Sequence, residues 1–127
     1  MGYESKIYIV QESPYHATNE LPYGDVIAMF DLRKVGYNIC YGKTFPSLFD
    51  EERTCIFYAD DGNTELTEDC YGDEITKADN HEVIRWLKAD IKGRGVENAW
   101  HRENILLDTL LSLEKNNVEY SLYHFGY

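Results

Sequence analysis

Residues 53–77, RTCIFYADDGNTELTEDCYGDEITK, carry the signals from which the fold of this chain is predicted. The first part, 54–59, is rich in the β-branched and aromatic residues that suit a strand. The second part, 60–74, contains seven carboxylates and no Lys or Arg. Between them, Asp61-Gly62-Asn63 is a strong turn signal, because Gly and Asn tolerate positive φ. The pattern predicts a hairpin with a short second strand over 64–67.

The acidic residues raise the question of a metal site. An EF-hand needs acids at its positions 1, 3 and 5, and a Gly at position 6. If Gly62 takes position 6, Phe57 takes position 1, and the pattern fails. An irregular carboxylate cluster can still hold a hard cation weakly. A solvated acidic face is the simpler interpretation, so we predict no metal and no cofactor.

Composition predicts one folded domain, residues 1–127, with 43% apolar and 14% aromatic residues. The net charge of −11 favours a basic partner and repels nucleic acid and anionic membranes. No apolar run of about 18 residues or signal peptide is present, so we expect a cytoplasmic protein. A homo-oligomer is compatible with this composition. Cys40, Cys55 and Cys70 include no CxxC pair, which predicts neither a disulfide nor a zinc framework.

Two further strands are predicted before this segment and one after it. Residues 5–12 predict a central strand, because both of its faces are apolar, and 25–32 predict a second strand. Residues 36–46 are interpreted as a connection. The last strand is predicted over 118–125, where apolar and polar residues alternate.

Two helices are predicted between the acidic stretch and the last strand. Asp79 or Asn80 caps the first helix, which ends at Lys92-Gly93. Its apolar residues recur at helical spacing, with Arg85, Lys88 and Asp90 on the other side. These apolar residues are Val83, Ile84, Leu87 and Ile91. The second helix is predicted from about Val96 to Asn116.

The element order, β-β-β-(β)-α-α-β, predicts an α+β fold. Because strands precede helices, we expect a mainly antiparallel sheet of four to five strands with two helices packed on one face.

Sequence motifs give little support to catalysis. The acid–base candidates are His16, His81, His101 and His124, and none lies in a metal-ligand spacing such as HExxH. GxSxG, P-loop and GxGxxG motifs are also absent from the sequence. We therefore predict that the protein is not an enzyme.

A basic segment interrupts the acidic chain. Residues 85–102 carry five basic and two acidic residues, a net of 5 − 2 = +3. The simpler interpretation is that these cations complement a helix C-terminus and balance the acidic stretch. The alternative is an anion or nucleotide site beside Trp86 and Trp100. Its residues are Lys88, Lys92, Arg94 and Arg102.

Four stretches together resemble a group of small proteins of bacteriophages and prophages of Gram-positive bacteria. They are MGYESKIYIV at 1–10, DVIAMFDL at 25–32, YADDGNTELTEDCYGDEIT at 58–76 and YHFGY at 123–127. The group has no assigned activity, so the resemblance implies no site residues. It implies a context in which small accessory proteins often antagonise host defence, and in which many inhibitors are acidic single domains that imitate DNA.

The functional expectation is therefore a viral protein that binds and inhibits a basic host protein, such as a nucleic-acid-binding defence nuclease, by charge mimicry. We expect this protein to bind the basic host protein directly, and to bind neither nucleic acid nor a membrane. The predicted partner-binding face comprises Asp60, Asp61, Glu65, Glu68, Asp69, Tyr71, Asp73 and Glu74. Two alternatives are a small-molecule binder that sequesters a nucleotide-derived immune signal, and a structural or assembly protein of the virion.

Overall fold

The structure is a computed structural model that describes residues 5–12, 23–32, 39–58, 74–94 and 101–126. Within these residues the predicted α+β class is confirmed. The elements in chain order are β1 (Ser5–Glu12), β2 (Gly24–Asp31), β3 (Ile39–Cys40), β4 (Lys43–Thr44), a 3-10 turn (Pro46–Leu48), β5 (Thr76–Ala78), α1 (Asn80–Arg94), α2 (His101–Lys115) and β6 (Ser121–Gly126).

The main sheet has the strand order β2-β1-β6-β5, and its neighbouring strands are antiparallel. The predicted central position of β1 is confirmed, because β1 pairs with β2 on one side and β6 on the other. The outer strands are β2 and β5. Strands β3 and β4 form a separate two-stranded sheet.

Alternate side chains of β1 are buried on opposite faces of the sheet. Ile7 and Ile9 belong to the larger apolar cluster, which also contains side chains of both helices. Tyr8 and Val10 belong to a second cluster on the opposite face, with Phe57. The helices therefore pack on one face, as predicted, because side chains of a strand point alternately to its two sides.

A β-bulge changes the facing of side chains in β2. Ile9 is opposite Ala28 and Val10 is opposite Val26, so Ile27 is the extra residue of β2. The bulge lets Val26 contribute to the second cluster while Ala28 packs against the larger one. Ile27 itself is 43% exposed.

The strand predicted over 54–59 is wrong for the part the structure describes, 54–58. This segment makes only isolated bridges, including a parallel one between Ile56 and Tyr23. Cys55 and Phe57 are nevertheless fully buried in the second cluster. The alternating pattern here reflects a segment that covers the sheet face. It reaches the start of β2 at Gly24, where a side chain would collide with Val10 and Cys55.

Helix α1 begins where its cap was predicted. The Asp79 carboxylate accepts hydrogen bonds from the backbone N–H groups of His81 and Glu82, at 2.9 and 3.1 Å. The predicted end, at Lys92 with Gly93 just after the helix, is wrong by two residues, because α1 continues through Gly93 to Arg94. Asp90, predicted on the solvent side, is buried.

Helix α2 begins and ends inside the limits predicted for it, although 95–100 are outside the described residues. Neither helix in the described part of the chain is long and apolar enough to cross a membrane.

Two features of the fold were not predicted. The connection at 39–44 contains the β3–β4 hairpin, whose loop residues Tyr41 and Gly42 have φ of 52° and 74°. Positive φ at both residues is the geometry of a tight hairpin turn. The short strand β5 was also missed. The last strand starts three residues later than predicted, at Ser121.

Candidate functional site

Residues 49–51 are fixed along the outer side of β5 by hydrogen bonds. Glu51 N–H donates to the Lys77 carbonyl at 3.0 Å, and Lys77 N–H donates to the Glu51 carbonyl at 2.9 Å. The Thr76 hydroxyl donates to the Phe49 carbonyl at 2.6 Å. Because the Phe49 side chain is buried, this segment is anchored by packing as well as by its backbone.

This arrangement gathers exposed carboxylates at one edge of the sheet. We call them the acidic edge: Asp50, Glu51, Glu52, Glu74 and Asp79, all of which are exposed. They come from three places in the sequence, namely the segment beside β5, a residue two positions before that strand, and the cap of α1. The strand and its backbone partners therefore bring together charges that the sequence separates.

Cations near the acidic edge are only partly exposed. Lys77 lies in β5 and is half-buried. Arg53 is half-buried too, with its guanidinium carbon 5.9 Å from the centre of the Phe57 ring. A shallow cleft of about 240 Å³ adjoins the edge and is lined in part by Glu51, Asp79 and His81. The surface thus presents more accessible negative than positive charge.

Of the predicted acidic face, the structure describes only Glu74, which is exposed as expected. The other predicted residues lie outside the described part of the chain: Asp60, Asp61, Glu65, Glu68, Asp69, Tyr71 and Asp73. Their role stays a prediction. The sequence-based prediction did not include Asp50–Glu52, although these three consecutive acids directly precede residues 53–77.

A polar cluster joins the start of α1 to the end of α2. The Tyr120 hydroxyl donates to Glu114 Oε1 at 2.9 Å, and His81 Nε2 lies 3.5 Å from the same oxygen. Burial, followed by the hydrogen bond to Glu114, raises the pKa of Tyr120 well above its ordinary value. The phenol therefore remains a hydrogen-bond donor throughout the neutral range. Asn80 adds a bond from its side-chain amide to the Tyr120 carbonyl, at 2.8 Å.

The histidines are separated by the fold. His81 and His101 are exposed at the starts of α1 and α2, whereas His124 is buried with its ring 5.3 Å from that of Phe49. His16 lies outside the described residues. In the described ranges, no group of three His, Cys, Asp or Glu residues is arranged to hold a metal ion.

Cys55 is packed in the core. Its sulfur lies 3.3 Å from the hydroxyl of Tyr123, and that hydroxyl accepts a hydrogen bond from Thr54 N–H at 3.0 Å. Burial raises the pKa of Tyr123, and the contact with Cys55 adds to this effect. Cys55 thus helps to hold the 54–58 segment on the sheet.

The alternative basic site is only partly described. Lys88 and Lys92 are exposed one turn apart on α1, and the side chain of Arg94 lies outside the described residues. Arg102 binds to β2: its guanidinium donates to the Asp31 carbonyl at 2.8 Å and lies 3.7 Å from the Asp31 carboxylate.

Trp86 does not supply an aromatic surface for a nucleotide base. It is 1% exposed and donates its indole N–H to the Lys43 carbonyl at 2.8 Å, so that part of the expectation is wrong. Trp100 is outside the described residues.

No protein-family model matches the chain, and searches of curated proteins and of solved structures gave no significant match.

Proposed function

We propose that this protein is a phage-type inhibitor that acts in the host cytoplasm by binding a basic host protein. The target class is a nucleic-acid-binding protein, such as a nuclease of a defence system. The protein occupies the target's phosphate-binding groove with its carboxylates. The observation that carries the proposal is the acidic edge, where five exposed carboxylates lie along one side of the sheet.

The spacing of the charges suits a groove that binds phosphates. In an extended segment, consecutive residues advance by about 3.3 Å and their side chains alternate in direction, so Asp50 and Glu52 share one side, about 6.6 Å apart along the chain, and Glu51 faces the other. One strand of duplex DNA carries one negative charge per about 3.4 Å of helix axis. The charge per length of this segment is therefore similar to that of one DNA strand, and Asp50 and Glu52 are the two carboxylates that one row of Lys and Arg would meet together.

The rigidity of the segment also favours this function. Glu51 exchanges two backbone hydrogen bonds with Lys77, so the backbone that carries its charge is held in place before binding. A preorganised surface loses less conformational entropy on association. In sequence, Glu74 directly follows the remaining acids of 60–73, which would extend the same charged surface.

The test compares two double variants that each remove two negative charges. The edge variant is Asp50→Asn with Glu52→Gln, and the control variant is Asp108→Asn with Glu119→Gln; all four residues are exposed. Each protein is immobilised and incubated with lysate of a Gram-positive host at about 50 mM and about 500 mM salt, because exposed charges are screened at the higher value.

Wild type and the control variant are expected to retain the same basic proteins at low salt, and the edge variant is expected to lose them. Duplex DNA added to the low-salt sample should release these proteins, because it competes for the same groove. Retention that DNA does not reverse would contradict charge mimicry. Equal retention by both double variants would show that the acidic edge is not the binding surface.

A further inference from the structure

The turn of the β3–β4 hairpin carries an aromatic residue in an unfavourable backbone conformation. Tyr41 and Gly42 form this turn, and Tyr41 has a φ of 52°. Positive φ is uncommon for bulky residues, and Asn or Asp before Gly is the usual pair in such a turn. The Tyr41 side chain is 63% exposed, so burial in the core does not compensate for this conformation. Unfavourable conformations of this kind are concentrated at sites that bind ligands.

The Tyr41 ring lies under a cation of α1. The guanidinium carbon of Arg85 is 4.2 Å from the centre of the ring, well within the range of a cation–π contact. A guanidinium that lies on a ring keeps its planar set of N–H donors available at its edge. Arg85 is exposed, and within the described residues no carboxylate forms an ion pair with it. Its donors are therefore available to a ligand.

A small cavity adjoins this contact. Its volume is about 40 Å³, and its charged lining residues in the described part of the chain are Lys43, Glu82 and Arg85. A single water needs about 10–15 Å³ of such space, so the cavity has room for about three heavy atoms. A carboxylate group has this size, whereas a phosphate group is larger. Two cations and one carboxylate line the cavity, so its charge also favours a single anion.

The exposed face of α1 extends this positive charge. Arg85, Lys88 and Lys92 are exposed at the spacing i, i+3 and i+7, which places them on one side of the helix. The chain has 23 acidic and 12 basic residues, yet these three cations form no ion pair with a described residue. Surfaces of opposite charge meet in protein interfaces, so the occupant of this face is acidic.

The hairpin is anchored to α1 before any ligand binds. The Trp86 indole N–H donates to the Lys43 carbonyl at 2.8 Å, and the Trp86 ring packs against Phe45 in the core. Ile39, which precedes the turn in the same hairpin, is 71% exposed. An anchored backbone that presents Tyr, Arg and an apolar side chain is typical of the residues that dominate protein interfaces.

From these features we infer that Tyr41, Lys43 and Arg85 form a second binding site, the hairpin site, for a short acidic peptide segment of a partner protein. One carboxylate of the segment enters the cavity and accepts hydrogen bonds from the Arg85 guanidinium. An apolar side chain beside that carboxylate contacts the Tyr41 ring. The hairpin site has the opposite charge to the acidic edge, and this inference does not rest on the proposed function.

Selection from a displayed library of random short peptides tests the chemistry of the hairpin site. Wild type, Arg85→Gln and the control Lys115→Gln are used in parallel; Lys115 is also an exposed cation, on α2. Wild type and the control are expected to enrich peptides that carry Asp or Glu beside an apolar residue, and Arg85→Gln is not. The acidic edge would select basic peptides, so the two surfaces are read separately.

Titration of the most enriched acidic peptide, fluorescently labelled, measures the contribution of each side chain. Its Kd should rise at least about tenfold in Arg85→Gln, because a hydrogen bond between charged groups is lost. Tyr41→Asn should weaken binding as well. Asn tolerates positive φ, so this variant keeps the turn, and its melting temperature should equal or exceed that of wild type. A purely structural Tyr41 would give the reverse, a lower melting temperature with unchanged peptide affinity.

Four outcomes would overturn the inference. The first is a selection on wild type that enriches no acidic peptides, and the second is a Kd that neither Arg85→Gln nor Tyr41→Asn changes. The third is displacement of the peptide by a single-stranded oligonucleotide that binds more tightly, which would make nucleic acid the occupant. The fourth is self-association of wild type that Arg85→Gln abolishes, which would make a second copy of this chain the occupant.

Discussion

The two outer edges of the sheet differ in length, covering and chemistry. At one side, β5 has three residues, is paired through Glu51, and is surrounded by exposed carboxylates. At the other side, β2 has eight residues and exposes Ile27 and Met29. Charged residues, short strands and β-bulges each protect an edge from pairing with another strand. The β5 edge has the first two, including the carboxylates on which the proposed function rests, and β2 has a bulge at Ile27.

The variant with the largest expected effect tests whether the acidic surface at the β5 edge includes residues 60–73, which precede that strand. Replacing Asp60, Asp61, Glu65, Glu68 and Asp69 by Asn or Gln should abolish binding to the basic partner. Stability should stay constant or rise slightly, because crowded surface acids repel one another. Partner affinity and melting temperature are measured on the same samples. Undiminished affinity would move the binding surface elsewhere, and a collapsed melting temperature would mean that these acids stabilise the fold.

The next prediction concerns the backbone hydrogen bonds that hold Glu51 beside β5. Glu51→Pro removes the N–H that donates to Lys77, and is expected to lower the free energy of unfolding by about 2–3 kcal/mol. Glu51→Ala keeps the backbone bonds and removes the same carboxylate, so it should change stability by less than about 0.5 kcal/mol. Urea denaturation measures both. Equal stabilities would show that the backbone bridge does not anchor the segment.

A smaller effect is expected at the polar cluster beside the β5 edge. Tyr120→Phe removes the hydrogen bond to Glu114 and should cost about 1 kcal/mol. The pKa of Tyr120 is raised in the folded protein, so the unfolded chain ionises first as pH rises past its ordinary value of 10.0. Wild-type stability should therefore be fully present below that pH and decline above it.

Denaturation with urea between about pH 8 and pH 11 measures this decline. It should be less steep in Tyr120→Phe and should not vanish, because the pKa of Tyr123 is raised as well. A decline equally steep in both proteins would exclude Tyr120 as a cause.

Sequence reasoning succeeded where periodicity and local chemistry agree. The strand at 5–12, the strand near 25–32 and the Asp79 cap of α1 each carry a local signal that the fold keeps. It failed at 54–58, because alternation reports which side chains are buried and does not reveal whether the backbone pairs. The three-residue β5 is too short to produce a period, and its place beside Glu51 depends on contacts distant in sequence.

The acidic site was only partly predictable for a related reason. The count of acids in 60–74 is visible in the sequence, whereas the approach of Asp50–Glu52 to the end of that stretch depends on the Glu51–Lys77 bridge. Trp86 shows the opposite error. Its neighbourhood in sequence is basic, but helical geometry turns its ring into the core, where Phe45 lies 5.2 Å away.

Strand β6 has a consequence for folding kinetics. It pairs with β1, from the start of the chain, and with β5, so among the described strands it alone joins the β1–β2 pair to β5. Contacts between such distant residues carry a large loop-closure entropy, which slows folding. The β1–β2 pair can form early as a local unit, but the two outer edges become parts of one sheet only when β6 docks. We therefore expect the domain to become cooperative at the step in which this strand docks.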